Sequence, residues 1–380
     1  MQFVELFAGI GLFRLGLEQL GPQWRCVLAN DFAPKKAQAY ALNFSIEHFV
    51  PGDIAGLSAR AIPAETELIT ASFPCQDVSL AGNRAGLAGE RSGNFYQFQR
   101  LLLELDAAQR LPQTVLLENV PGLLTTHGGA DIRAVLQALS ALGYGLDLLL
   151  LDAAHWLPQS RPRLFVVGRL NRGAALELLN AAPTHPARPS QVRRVMGANA
   201  DLRWSFLNLP ALPQRRESTL ADLICRAADG WFAQAEHGRE LGYVRGASLT
   251  RLENARAAAA SDGQSRFLAG YRRMRGGQVC LELRADGLAG CLRTATGGSS
   301  RQLLLEVMPD GTRIRFMTPR EYARLMGVAD DFALPGNTRD ALNGLGDAVA
   351  VPVIRWLGQV LEAGAATPRP VPVPRPVPAA

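Results

Sequence analysis

The stretch that decides the fold is Gln2-Phe3-Val4-Glu5-Leu6-Phe7, which runs into Ala8-Gly9-Ile10-Gly11 and then into Leu12, Leu15, Leu17 and Leu20. An apolar run of strand length, a glycine turn and a helically spaced set of leucines spell strand, turn, helix. Outward from it the alternation repeats. A second strand is expected at Arg25 to Ala29, ending at Asn30-Asp31, with a helix from about Lys36 to Asn43. Buried strands are expected at Glu67 to Ser72 and Thr114 to Leu117, and helices at Phe95 to Ala107 and Ile132 to Leu142. Leu148 to Leu151 and Leu164 to Val167 close the series. Strands alternating with helices predict an α/β, doubly wound, mostly parallel, Rossmann-like sheet over residues 1–170.

From about Asn171 the alternation stops, and scattered Pro, Gly and Arg predict a smaller irregular domain over 171–302. Helical periodicity returns at Thr318 to Met326 and at Asp347 to Leu361, so residues 303–363 are expected to complete the first domain. Residues 364–380 are rich in Ala and Pro and predict an extended polyproline or disordered tail.

At 380 residues and 48% hydrophobic content, the chain can build two or three domains around sizeable cores. The net charge of +6 and pI of about 9.4 suit a polyanion partner. An arginine-rich composition with Lys only at Lys35 and Lys36 explains the same balance without one. Cys26, Cys75, Cys225, Cys280 and Cys291 are odd in number and hold no CxxC pair, which predicts reduced thiols, no structural zinc and a cytoplasmic setting. No secretion leader or membrane span is expected.

Ligands of an open parallel sheet sit at the carboxyl ends of its strands, and three acids or glycine turns lie there. Phe7-Ala8-Gly9-Ile10-Gly11 lets the backbone approach a ligand, Asp31 is placed to hold a ribose diol with Phe32 beside it as a stacking ring, and Asp53-Ile54 follows a third strand. Together they point to an adenosine-containing cofactor, NAD or S-adenosylmethionine. Phe73-Pro74-Cys75-Gln76 and Glu118-Asn119-Val120 end two apolar runs. A free cysteine is most often an inert buried thiol, but polar and glycine-rich residues follow Cys75 and predict exposure. Glu118 fits either a structural carboxylate or an acid whose burial keeps it protonated. Arg161 and Arg163 alternate before a strand and share one face, where they could hold a base carbonyl or a phosphate.

With these motifs the chain resembles the DNA (cytosine-5)-methyltransferases. The resemblance rests on nine short motifs in that family's order. They are Phe7-Ala8-Gly9-Ile10-Gly11, Asp31, Gly52-Asp53-Ile54, Phe73-Pro74-Cys75-Gln76, Arg91-Ser92-Gly93, Glu118-Asn119-Val120, Gln159-Ser160-Arg161-Pro162-Arg163, Pro319-Arg320-Glu321 with Arg324-Leu325-Met326-Gly327, and Gly346-Asp347-Ala348-Val349. It implies a methyltransferase sheet with a target-recognition domain, S-adenosyl-L-methionine as methyl donor and duplex DNA as substrate. It further implies Cys75, Glu118, Arg161 and Arg163 as catalytic residues, and cofactor contacts from Phe7, Ala8, Gly9, Ile10, Gly11, Asp31, Phe32, Asp53, Ile54, Pro74, Asn94, Asp347 and Ala348. DNA contacts would come from Gln76, Ser79, Arg84, Asn119, Thr294, Thr296, Gly297, Gly298 and Arg301. A monomer in the bacterial cytoplasm near the nucleoid, beside a cognate restriction endonuclease, completes the implied setting. Two positions depart from the family pattern: Leu12 stands where glycine often follows the turn, and Asp347 replaces the usual asparagine of Gly-Asn-(Ser/Ala)-Val. A tRNA cytosine-5 methyltransferase, a non-catalytic DNA-binding regulator of the same fold and an NAD dehydrogenase are the competing readings. The long segment between Arg163 and Pro319 favours DNA over tRNA.

Overall fold

The computed structural model describes residues 1–73, 94–171, 183–214, 216, 218–294 and 301–365. Pro74, Cys75, Gln76, Ser79, Arg84, Thr296, Gly297, Gly298, the Arg91-Ser92-Gly93 motif and the Pro-rich tail beyond residue 365 lie outside the described residues.

The first half of the chain alternates as its periodicity predicts. In order come β1 (Gln2–Leu6), α1 (Leu12–Glu18), β2 (Arg25–Asp31), α2 (Pro34–Ala41), β3 (Phe49–Pro51), β4 (Leu68–Ala71), α3 (Asn94–Ala107), β5 (Thr114–Asn119), α4 (Ala130–Ala141), β6 (Tyr144–Asp152) and β7 (Pro162–Leu170). Among the described residues, these seven strands form one sheet in the order β3-β2-β1-β4-β5-β7-β6. The central strands are near-continuous apolar runs because helices cover both faces of the sheet. The chain leaves β1 toward β3 and then returns to start β4 on its other side, so the reversal of strand order lies between β1 and β4.

One feature of the sheet escapes periodicity. Strand β7 runs antiparallel to both β5 and β6. Alternation reports which residues face which side, not strand direction. The consequence is local and decisive: β7 begins where β5 ends.

Beyond β7 the expected boundaries shift. Residues 183–207, expected in the irregular domain, lie against β6. The Ala187 carbonyl accepts from Leu150 N–H, and Trp204 bridges Leu146. Arg188 donates from Nε and Nη2 to the two Asp147 oxygens at 3.0 and 2.6 Å, both side chains being fully buried. The helix α5 (Ser190–Ala198) packs into the same layer.

The rest of that region is regular rather than irregular. It contains α6 (Leu220–Leu223), α7 (Gln234–Gly242), α8 (Ala247–Asp262), β8 (Arg266–Arg275), β9 (Gln278–Arg284), β10 (Leu303–Met308) and β11 (Gly311–Phe316). The strands make an antiparallel sheet ordered β11-β10-β8-β9, so residues 303–316, expected in the returning segment, belong to this second sheet. Its one face buries Leu303, Leu305, Val307 and Leu268 against Leu252, Ala255 and Ala259 of α8. The alternate residue Leu304 joins the main core instead, as a period of two requires, and so ties the sheets together.

The chain then returns through α9 (Pro319–Leu325), α10 (Thr338–Asp347) and α11 (Val351–Ala365). The helix expected from Asp347 to Leu361 is in fact two. Helix α10 ends at Asp347, residues 348–350 turn, and Pro352 sits in the first turn of α11, where a missing N–H costs nothing. Helix α11 packs on α1, with Ile354, Leu357 and Leu361 in one cluster with Leu17.

Replacing Arg188 by Met leaves the Asp147 carboxylate buried without its partner. Urea denaturation should show a loss of about 3–5 kcal/mol, largely recovered in Asp147→Leu/Arg188→Met. An unchanged midpoint for the single variant would show that the pair does not anchor this segment.

Candidate active site at the strand ends

The crevice between β1 and β4 is floored by the glycine turn. Phe7, Gly9 and Gly11 all have positive φ, at 58°, 59° and 84°. This winding exposes backbone rather than side chains. Ile10 packs against Gly344 of α10, and Leu12, the first departure from the family pattern, is buried in the main core. A Cβ on Gly11 would lie 2.4 Å from the Phe44 ring, so that position needs glycine for space as well as for φ. Asp31, 4% exposed at the end of β2, accepts from Gly9 N–H at 2.8 Å and from Ala33 N–H at 2.9 Å, fastening the turn to the next strand. Phe32 beside it is 62% exposed. Asp53 caps the turn at Ile54–Gly56, and Asn30 fixes its approach by donating to the Val50 and Gly52 carbonyls. Ala8 and Ile54 are buried beneath this rim. An open glycine turn, carboxylates at neighbouring strand ends and an exposed ring fit an adenosine-bearing ligand.

Glu118 is the next-to-last residue of β5 and is almost fully buried. Because β7 runs backwards beside β5, Arg163 lies near the start of β7 at that same end, and its Nε meets Glu118 Oε1 at 2.9 Å. The Ser72 hydroxyl, one residue past β4, also hydrogen-bonds the carboxylate. Burial pushes the Glu118 pKa above the ordinary glutamate range, and Arg163, Arg161 and Ser72 only partly oppose it. Asn119 donates to the Phe73 carbonyl at 3.3 Å. The backbone two residues before Cys75 is therefore tied to the residue after Glu118.

Arg161 does different work. It is 1% exposed, and its guanidinium donates to the Leu292, Gly346 and Ala348 carbonyls. Those three carbonyls come from the loop after β9 and from the end of α10, so one side chain joins the second sheet, α10 and β7. Burial and the neighbouring Arg163 lower its pKa to about 10. Gln159, fully buried, continues the seam: its Nε2 donates to Leu325 O and its Oε1 accepts from Leu292 N–H. Gly346 presses onto the backbone of Arg293 and Thr294, where a Cβ would come within 2.4 Å. Thr294, expected to meet DNA, thus has its backbone packed against Gly346 at the end of α10. The motif Pro319-Arg320-Glu321 is a helix start: Thr318 and Glu321 cap each other's N–H groups, and Glu321 also takes both amino groups of buried Arg315.

Two further residues lie at the site without having been singled out by any motif of their own. Cys291 places its thiol 3.6 Å from Arg161 Nη1 and 3.8 Å from Arg163 Nη1, and although burial opposes ionisation, the two arginines lower its pKa. Ser72 was visible only as the neighbour of a motif. Arg301, expected on DNA, lies with its guanidinium 4.2 Å from the Phe316 ring centroid, and Asn94 opens α3. Arg161→Met strands three carbonyls and should cost about 2–4 kcal/mol of unfolding stability in urea titrations. An unchanged midpoint would contradict its role as a tie between segments.

Residues 1–363 match the family model for the C-5 cytosine-specific DNA methylase. Among curated relatives, the Type II methyltransferase M.NlaX of Neisseria lactamica is 29% identical over 95% of this chain and 96% of its own. M.BanI of Aneurinibacillus aneurinilyticus is 27% identical over 93% and 94%. Among solved structures, the Entamoeba histolytica methyltransferase EhMeth superposes with a TM-score of 0.63 at 15% identity, covering 96% of this chain and 98% of that one. The S. pombe Dnmt2 methyltransferase gives 0.58 at 19% identity, covering 96% and 99%. These two share the fold: a mixed α/β sheet with a smaller antiparallel one. Matched along nearly its whole length, the chain belongs to the C-5 cytosine-specific DNA methylase family and is a methyltransferase.

Proposed function

We propose that the chain methylates C5 of a cytosine flipped out of a specific duplex DNA sequence, through a covalent bond between Cys75 and C6 of the base. The observation that carries this reading is the Glu118–Arg163 pair, buried at the strand ends beside the segment that leads into Cys75. A cytosine carbon at C5 is too weak a nucleophile to attack a methyl sulfonium unaided. Addition of the Cys75 thiolate to C6 forms an S–C bond and pushes electrons toward N3, where Glu118 supplies a proton. Arg163 holds the base carbonyl, and Arg161 acts by holding the loops around it rather than by touching the ring. C5 then takes the methyl group, a base removes its hydrogen as a proton, and the returning electrons expel Cys75 as thiolate.

S-adenosyl-L-methionine supplies an electrophilic methyl when bound and leaves as S-adenosyl-L-homocysteine. Its adenosine would rest on Phe7 to Gly11, Asp31, Phe32 and Asp53–Ile54, with Pro74, Asn94, Asp347 and Ala348 completing the enclosure. Extruding a base costs a few kcal/mol, to be offset by phosphate and strand contacts from Gln76, Ser79, Arg84, Asn119, Thr294, Thr296, Gly297, Gly298 and Arg301. The second sheet is the natural carrier of target recognition. A monomer working in the cytoplasm, with a cognate restriction endonuclease as partner, fits the Type II relatives. Among the described residues no helix is long and apolar enough to cross a membrane.

Two measurements test the reading. A duplex bearing 5-fluorocytosine, which cannot lose its C5 substituent, should trap wild type in an adduct that survives SDS and leave Cys75→Ser free. Persistence of the adduct in the serine variant ends the role of Cys75. The second is pH. Because burial raises the Glu118 pKa, the proton is retained above the usual carboxylate range and is lost as pH rises through the raised value. Single-turnover tritium transfer to duplex DNA should therefore decline on that alkaline limb. Glu118→Gln should lack the limb and run roughly 10²–10⁴-fold slower. Transfer to tRNA in preference to duplex DNA would favour the rival substrate.

A further inference from the structure

The turn that follows Asp53 is held from outside by one guanidinium. Arg100 of α3 donates from Nη2 to the Ile54, Ala55 and Leu57 carbonyls at 3.1, 3.4 and 2.7 Å. Its Nε donates to Gln97 Oε1 at 3.1 Å, and its Nη1 bonds Glu104 one turn further on. Glu104 in turn accepts from Ala59 N–H at 2.9 Å. Arg110, just past the end of α3, donates to the Ala59 and Ile62 carbonyls. Between β3 and β4 the segment has only short turns, at Ile54–Gly56 and Ala59–Ala61. Turns this short make few bonds of their own, so donors from a neighbouring element fix where they sit.

The two arginines divide this segment. Arg100 holds its first part, beside Asp53 and Ile54, and Arg110 holds its far part. Helix α3 is itself anchored at the catalytic edge, where the Phe95 ring packs on Phe73 with centroids 5.7 Å apart. The helix therefore spans from the end of β4 to the rim at Asp53. The Arg100 and Glu104 side chains are 34% and 37% exposed, so removing Arg100 strands no buried charge. What it releases is the position of the turn.

We propose that Arg100 is a positioning residue for the methyl donor: without touching the ligand, it holds the Asp53–Ile54 turn, through three backbone carbonyls, where the adenosine meets it. This rests on the cofactor reading given above. A turn cut loose from α3 samples positions that do not fit the ligand, and each binding event then has to order it again. The cost falls on binding, not on the transfer step, because the reacting groups lie at β5 and β7.

The test uses the full chain, with calorimetric titration of S-adenosyl-L-homocysteine and steady-state methyl transfer to unmethylated genomic DNA. Arg100→Met should weaken S-adenosyl-L-homocysteine roughly tenfold and raise KM for S-adenosyl-L-methionine in step, with kcat within about twofold of wild type. Arg100→Lys keeps the charge but can donate to fewer carbonyls, and its affinity should fall between the two. Arg110→Met loosens the same segment away from Asp53 and should bind as wild type does. Unchanged affinity in Arg100→Met overturns the proposal, as does an equal loss in Arg110→Met or a fall in kcat at unchanged KM. Should the methionine variant not fold, wild-type affinity in Arg100→Lys overturns it instead. A wild-type chain that binds no S-adenosyl-L-homocysteine overturns the cofactor reading itself, and the role of Arg100 with it.

Discussion

A glutamate near the end of a strand covered on both faces can keep its place only if something answers its charge or its proton. Here Arg163 does so across 2.9 Å, and it can reach because β7 runs against its neighbours. In a fully parallel sheet the residue beside Glu118 would come from the far end of a strand. Reversal brings the start of β7 to the ligand-bearing edge, together with Gln159, Arg161 and the loop after β9. The pair also sets a balance. Desolvation favours the neutral acid and the arginine favours the anion, and burial wins. A carboxyl held protonated can give a proton to a base; an ordinary exposed one cannot.

The remainder of the chain serves that edge. Arg161 donates its hydrogen bonds to three carbonyls from two distant segments and so ties β7, the end of α10 and the loop after β9 to one another. Gly346 lies against Arg293 and Thr294, and a side chain at 346 would force that loop away from the cleft. The C-terminal helix closes on α1, which begins at the glycine turn. Residues more than 300 positions apart in sequence are therefore needed to build one crevice.

Much of this was legible in the residues, and what was not has physical causes. Apolar runs and glycine turns located β1, β2, β4 and β5 because a strand buried on both faces has little choice of residue. Strand direction left no such trace, and the reversal of β7 was invisible. The second sheet was hidden for another reason: β8 mixes Phe267, Leu268, Gly270 and Tyr271 with several arginines, and the second half of α8 is rich in alanine, whose helix propensity is high but whose periodicity is faint. Pro352, inside the helix expected from Asp347 to Leu361, was the sign that a new helix starts there. At the site, Glu118 and Arg163 were singled out and lie together, whereas Arg161, ranked beside them, is a buried tie.

The most direct test of the account is to find which sulfur bonds the base. Two thiols bear on it: Cys75, which follows Phe73 by two residues, and Cys291, which touches Arg163 in the folded chain. Trypsin separates them, into the peptide of residues 61–84 and that of residues 285–293. Mass spectrometry of the complex trapped on 5-fluorocytosine DNA should find the nucleotide mass on the 61–84 peptide alone. The same mass on the 285–293 peptide would contradict the account.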